Sequence, residues 1–272
     1  MRMNEARQLE LTVVRSEPGG PPYRETVTAP VTETTTVLDL LEWAKAGPWP
    51  ALAFRYSCRS GVCGSCGVMV NGRPVLACET NAFGYLKSGL TVGPLARIPV
   101  ERDLITDVDG FINRLRQSKT WLIPATMPDA AATPENINRQ TPAELEIYRS
   151  LSECINCLLC YAACPVFPAL TEVADEAQVG ASGDGTAASS LPKSGKTVTE
   201  TDSGFIGPAA LALARRWDLD SRDSGAEQRD EAVGEDEHGI WPCTQDGSCT
   251  RVCPKGLDPK AAINQLQRLF LT

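Results

Sequence analysis

Apolar and polar residues alternate with a period near two from Leu9. Leu9, Leu11 and Val13 fall on one side, Glu10, Thr12 and Val14 on the other. That spacing predicts a half-buried β-strand. After Thr36 the period lengthens: Val37, Leu40, Leu41 and Ala44 form one stripe, and a helix is expected. Two short apolar runs, Val68–Val70 and Pro74–Leu76, flank Asn71-Gly72. This dipeptide closes type I′ hairpins because both turn positions need a positive φ. Strand, helix and hairpin together predict a small α+β unit ending near residue 105.

The second half carries helix signals. Thr141-Pro142-Ala143-Glu144 is a capping box with proline at the first helical position. Pro208 is placed to open a helix through GPAALALARRW, and Asp258-Pro259 to cap the last one, with Ile263, Leu266 and Phe270 on one face. Residues 172–203 differ: they are rich in Gly, Ser, Thr and acid and hold no aromatic side chain. That composition predicts a disordered surface insertion without chemistry of its own. The expected domains are 1–105 and 106–272.

Charge and composition narrow the function. The net charge of −8 argues against nucleic acid as a partner. No apolar run approaches the roughly 20 residues that span a bilayer. The N-terminal stretch has neither an apolar signal core nor a transit pattern, so the chain is expected to stay in the compartment where it is made. There are 11 cysteines and a single histidine, His238. An odd count cannot be fully paired as disulfides, and a Cys/His site is nearly excluded. Thiolate ligation of a soft metal remains.

The cysteines fall into three groups. Cys58, Cys63, Cys66 and Cys78 read C-x4-C-x2-C-x11-C, the plant-type 2Fe–2S spacing. Gly61, Gly64 and Gly67 are expected to let the loop turn its thiols inward. Cys154, Cys157, Cys160 and Cys164 read C-x2-C-x2-C-x3-C-P, the bacterial 4Fe–4S run, whose last cysteine normally serves the other cluster of a pair. The third group, Cys243, Cys249 and Cys253, supplies the complement. Cys253, before Pro254, is expected to complete the 4Fe–4S site. That leaves Cys164, Cys243 and Cys249, three thiolates, for a 3Fe–4S cluster. The predicted fold class is α+β: an N-terminal plant-type ferredoxin-like (β-grasp) domain followed by an all-α bacterial-ferredoxin-like domain.

Structural zinc also uses C-x2-C pairs, normally two pairs around one tetrahedral ion. Runs that overlap and must interleave favour iron–sulfur, and a colourless zinc-stabilised interaction protein is the alternative. Asp246 stands where a middle cysteine would stand, in C-x2-D-x2-C. It is either a hard fourth-iron ligand or a solvated loop residue beside Gly247. His238, in EDEHG, reads as a surface residue; Trp43, Trp217 and Trp241 read as core or interface residues.

These residues together resemble the iron–sulfur subunit of the succinate dehydrogenase and fumarate reductase family. The resemblance rests on SCRSGVCGSCGVMVNGRPVLAC, PVERDLITD, TPAEL, CINCLLCYAACP, GFIGPAALALARRWDLDSRD and CPKGLDPKAAI, and covers nearly the whole chain apart from 172–203. It implies the same three ligand sets and no catalytic residue in this chain. It also implies two kinds of partner: a dicarboxylate-binding flavoprotein holding FAD, and a hydrophobic membrane anchor. The 2Fe–2S cluster would lie near the flavin, the 4Fe–4S cluster in the middle and the 3Fe–4S cluster near a quinone. Location would be peripheral, on the cytoplasmic face of a bacterial or archaeal cell membrane. CPVFPAL and CTQ, where succinate dehydrogenases typically show tryptophans and a histidine, resemble the fumarate reductase branch more closely. Positions matching that branch's quinone vicinity are Pro165, Thr244, Gln245, Asn264 and Gln267; the last stands where bacterial members often have lysine. A soluble relay joining another flavoenzyme to a thiol or ferredoxin couple is the alternative function.

Overall fold

The computed structural model describes residues 6–124, 139–167, 204–235 and 237–271. The segment read as an insertion, 172–203, lies outside the described residues. The strands are β1 (Arg7–Arg15), β2 (Tyr23–Val31), β3 (Gly67–Val70), β4 (Arg73–Leu76), β5 (Leu90–Gly93), β6 (Val100–Arg102) and β7 (Ile105–Thr106). The helices are α1 (Val37–Ala46), α2 (Asp109–Gln117), α3 (Pro142–Ser152), α4 (Leu159–Ala163), α5 (Pro208–Asp218), α6 (Ala226–Asp230), α7 (Ser248–Arg251) and α8 (Pro259–Leu269). Two compact units result. Among the described residues the first takes 6–107 and 155–163, and the second takes 108–124, 139–154, 164–167, 204–235 and 237–271.

The first unit is built on a five-stranded sheet in the order β2-β1-β5-β3-β4. Leu9, Leu11 and Val13 are wholly buried on one face of β1, as the alternation predicts. β1 pairs antiparallel with β2 and parallel with β5, which also pairs antiparallel with β3. A parallel neighbour so distant in sequence needs a crossover, and α1 lies within it. Thr36 starts α1 by accepting from the Asp39 N–H at 3.1 Å, while Asp39 accepts from the Thr36 N–H at 2.8 Å. This reciprocal cap is worth about 1 kcal/mol, and the helix buries Val37, Leu38, Leu40, Leu41 and Ala44. Asn71 and Gly72 take φ of 45° and 80°, so the hairpin is the expected one.

One buried ion pair closes the far end of β1. Asp103 accepts from Arg15 Nε at 3.0 Å and from the backbone N–H groups of Ser16 and Ala53 at 3.2 and 2.8 Å. Three segments therefore meet on one buried carboxylate. The VERDLIT stretch serves the architecture of this unit.

The regular elements among the second unit's described residues are all helices. α5 packs on α8; α5 buries Ala209, Ala210, Leu211, Ala212 and Ala214, and α8 buries Ala262, Ile263 and Leu266. Thr141 and Glu144 cap α3 reciprocally, and Asp258 caps α8 by accepting from the Ala261 N–H at 3.0 Å. Phe270 departs from expectation. It falls just past α8, is exposed, and stands edge-on to Trp241 at 6.2 Å. Among the described residues no helix is long and apolar enough to cross a membrane.

Candidate iron–sulfur sites

The first cysteine group lies wholly in the first unit. Cys66 immediately precedes β3 and Cys78 lies just past β4. The pairing Gly67↔Leu76, continued by Ala77 N–H donating to Cys66 O at 3.0 Å, brings the two thiols together. Their sulfurs are 3.4 Å apart, close to the ~3.8 Å edge of a tetrahedron with ~2.3 Å metal–sulfur bonds. The loop from Cys58 to Cys66 supplies the rest. Cys58 Sγ accepts from the N–H groups of Ser60, Val62 and Cys63 at 3.4, 3.3 and 3.3 Å, and Gly61 N–H donates to Cys78 Sγ at 3.4 Å.

That donor set has an electrostatic result. The N–H groups of Ser60, Cys63 and Val62, with the Cys63 thiol, pull Cys58 down to about 6, so it is a thiolate at neutral pH. Burial pushes Cys66 up to about 12, so that sulfur loses its proton only to a bound metal. Sulfur-only ligands ringed by backbone N–H groups fit a cluster that gains negative charge on reduction.

The three glycines do different work. Gly61 and Gly64 have φ of 66° and 73°, a region that side chains disfavour. Gly67 is not left-handed, contrary to the turn role expected of it. A Cβ there would lie 3.0 Å from Cys157 O and 3.1 Å from Leu95 Cδ1, so its bareness permits close approach. A Cβ on Gly64 would lie 2.5 Å from Ile155 O and 3.0 Å from Cys157 Cβ. The loop carrying Cys157 is thus seated directly on the Cys58–Cys66 loop, within one unit.

The second cysteine run is held in a tight turn. Asn156 and Leu158, on either side of Cys157, take φ of 54° and 64°, conformations that cost a side-chain-bearing residue about 1–2 kcal/mol each. Asparagine takes this region more readily than other side-chain-bearing residues, so Asn156 carries a local signal, whereas Leu158 carries none. Cys160 then sits buried in α4. Cys157 and Cys160 belong to the first unit; Cys154, just after α3, and Cys253, just after α7, belong to the second.

The third set converges in the second unit. Cys164, Cys243 and Cys249 line one cavity with Pro165, Thr244 and Gln245. Burial pushes the Cys243 and Cys249 thiols up, and the neighbouring Cys164 adds to both. Asp246 borders the cavity, but its oxygens are engaged elsewhere: Oδ1 accepts from Ser248 N–H at 2.9 Å and Oδ2 pairs with Arg251 at 3.3 Å. Asn264 and Gln267, on α8, do not line the cavity. Gln267 instead accepts from Gln245 Nε2 at 2.9 Å. Lys260 brings a positive charge to the cavity wall and was not singled out from the sequence. The signal was present, since Lys260 and the cavity-lining Ile263 are three apart on one helix.

A sheet unit with the plant-type cysteine loop, joined to a helical unit that gathers three more thiols, defines an iron–sulfur electron carrier with several clusters. Residues 10–113 match the family described as a 2Fe-2S iron-sulfur cluster binding domain, and residues 150–257 match the 4Fe-4S dicluster domain. The chain is 38% identical over 264 residues to the fumarate reductase iron-sulfur subunit of Mycobacterium tuberculosis, covering 97% of this chain and 91% of that protein. It is 33% identical over 264 residues to a mitochondrial succinate dehydrogenase [ubiquinone] iron-sulfur subunit of Oryza sativa, covering 96% and 74%. Among solved structures, a chain of the Mycobacterium smegmatis Sdh1 complex superposes with a TM-score of 0.75 at 27% identity, covering 97% of this chain and 95% of that one. The chain belongs to the iron–sulfur subunit family of fumarate reductase and succinate dehydrogenase. It carries 2Fe–2S and 4Fe–4S clusters as the electron-transfer subunit of an oxidoreductase complex.

Proposed function

We propose that this subunit relays electrons between the FAD of a dicarboxylate-binding flavoprotein and a quinone held with a hydrophobic membrane anchor. The clusters supply one-electron carriers: a 2Fe–2S cluster on Cys58, Cys63, Cys66 and Cys78, a 4Fe–4S cluster on Cys154, Cys157, Cys160 and Cys253, and a 3Fe–4S cluster on Cys164, Cys243 and Cys249. The observation that carries this reading is the third set. Three thiols line one cavity, while both oxygens of Asp246 are engaged by Ser248 and Arg251. That arrangement favours three thiolate ligands and leaves Asp246 as a loop-capping residue.

The chain's own residues then do three things. Backbone N–H groups around Cys58 offset negative charge at the flavin-facing end. The seating of the Cys157 loop on Gly64 and Gly67 keeps the first two ligand loops in contact. Pro165, Thr244 and Gln245 form the wall of the third site, where a quinone would approach. In the same unit Trp241, Leu269 and Leu271 are exposed, and Trp241 is two residues from Cys243. Exposed apolar groups there support an apolar partner, which fits a subunit held peripherally at the membrane; the cytoplasmic face is part of the proposal.

An EPR spectrum of the oxidised, anaerobically purified complex tests the reading. A 3Fe–4S cluster is paramagnetic when oxidised, and its signal is expected. Silence with full iron content would instead assign a fourth iron to Asp246 and overturn the three-thiolate site. In the same preparation Cys160→Ala is expected to remove the middle cluster; retention of all three would overturn its ligand set.

A further inference from the structure

The cavity of the third site has a cation in its wall. Cys164, Cys243 and Cys249 line it together with Lys260, which enters from the first turn of α8. Lys260 is the one cation among the described residues that line the cavity. Its direction follows from the helix. Ile263 belongs to the buried face of α8 and also lines the cavity. Lys260 stands one turn before it, on the same side of the helix. The lysine stem therefore crosses the loop between Cys243 and Cys249. A Cβ on Gly247 would lie 3.4 Å from Lys260 Cδ and 3.8 Å from its Nζ. Gly247 is two residues before Cys249, so the ammonium stands beside the segment that carries two of the three thiols.

Two carboxylates lie close enough to weaken this charge, and both are engaged. Asp246 borders the cavity, but its Oδ2 pairs with Arg251 at 3.3 Å, and Arg251 is not in the wall. Asp258 is two residues before Lys260 and also stands outside the wall. Its Oδ1 accepts from Thr250 Oγ1 at 2.7 Å and from the Ala261 N–H at 3.0 Å. The first acid is balanced by its own cation and the second lies farther out. They reduce the field of Lys260 in the cavity without cancelling it.

We propose that Lys260 sets the reduction potential of the third cluster: its ammonium, on the cavity wall, stabilises the reduced cluster and so raises the potential. This inference rests on the assignment of Cys164, Cys243 and Cys249 to that cluster. The step is the gain of one electron, supplied by the other clusters of the relay, and no bond forms or breaks. A cluster held by three thiolates becomes more negative on reduction, and a positive charge at its wall favours that state. The charge is half-buried, so it is screened less than in bulk water and more than in a dry interior.

The test is a redox titration of the intact complex, followed by the EPR signal of the oxidised third cluster and read without turnover. Lys260→Met keeps the stem and removes the charge. The reduced-to-oxidised ratio of that cluster at the native midpoint is expected to fall about fivefold, a downward shift of about 40 mV for a one-electron couple. Lys260→Glu should move the midpoint further in the same direction, and Lys260→Arg should restore most of the native value. A lysine that only packed its stem over Gly247 would give another order, with the methionine variant nearest to native. An unmoved midpoint in Lys260→Met, or a shift that Lys260→Arg does not reverse, would overturn the inference. If Lys260→Met fails to assemble the third cluster, Lys260→Gln supplies the neutral variant; loss of the cluster there too would make Lys260 a structural residue and overturn the inference as well. Absence of a three-iron signal in the native complex would instead reject the ligand assignment.

Discussion

Arg229→Met is expected to destabilise the helical unit by about 3–5 kcal/mol, the usual result of removing one partner from a buried charge pair. The Arg229 side chain is wholly buried. It donates to Asp218 Oδ1 at 2.7 Å and to Asp223 at 3.1 Å through two nitrogens. It also donates to the backbone carbonyls of Lys119 and Trp121, at 3.0 and 3.2 Å. One guanidinium therefore joins the segment after α2 to the end of α5 and to α6. Methionine fills similar volume but takes from Asp218 the guanidinium that donates to its Oδ1, leaves Asp223 only the N–H groups of Ile123 and Gly225, and removes a donor from two backbone carbonyls. Lysine keeps the charge without the planar fork and should recover only part of the loss. Chemical denaturation followed by far-UV circular dichroism measures both.

The same cluster gives the deficit a pH dependence. Burial, together with the neighbouring Asp230 charge, holds the Asp218 carboxyl high, at about 6, even with Arg229 present. Without the guanidinium it goes higher. A carboxyl whose folded value lies above its unfolded one binds more protons when folded, so stability falls as pH rises through that window. The cost in Arg229→Met is therefore full above the variant's raised folded value, shrinks as pH falls through the interval down to the native folded value of about 6, and is constant below it. Denaturation of native and variant protein at pH 7 and pH 5 should show the gap narrowing; a gap that widens on acidification would assign the loss to another group.

The second large effect is expected at Gly64. Gly64→Ala puts a Cβ 2.5 Å from Ile155 O and 3.0 Å from Cys157 Cβ, on a residue at φ 73°. The backbone strain alone is about 1–2 kcal/mol, and the Cys157 loop must also move. Iron content should fall by most of one cubane, with the visible absorption of the 2Fe–2S site largely kept. Gly72→Ala separates the two contributions. Its φ is 80° and nothing lies within 4 Å of the added atom, so it carries similar strain without the clash. It should lose stability but no iron. Full iron in Gly64→Ala would mean that the two cysteine loops are independent.

Much of the fold was legible because its signals are local. Thr36, Thr141 and Asp258 act as caps within one turn of themselves, and Asn71-Gly72 closes a hairpin whose partners are adjacent. β5 was not legible. It is only four residues long, and its place between β1 and β3 depends on pairing with a strand near the start of the chain. Phe270 follows the helical stripe in spacing, yet α8 ends before it, where a Cβ on Gly234 would collide with its ring. Packing at that point, and not periodicity, sets the position of the ring.

For the sites, the sequence alone determined the chemistry. Eleven cysteines at fixed spacings, with one histidine, predict thiolate ligation and the proposed division of the ligands into sets. That information is compositional and short-range, so no coordinates are needed to read it. The tertiary structure decided how the groups meet. It seats residues 155–163 in the first unit against Gly64 and Gly67, and it occupies the oxygens of Asp246. It also turns Gln267 toward Gln245 rather than into the cavity. Each of these depends on steric fit and hydrogen-bond partners supplied by other segments of the chain. A residue's identity states what it can bond, and only the fold states what stands within reach.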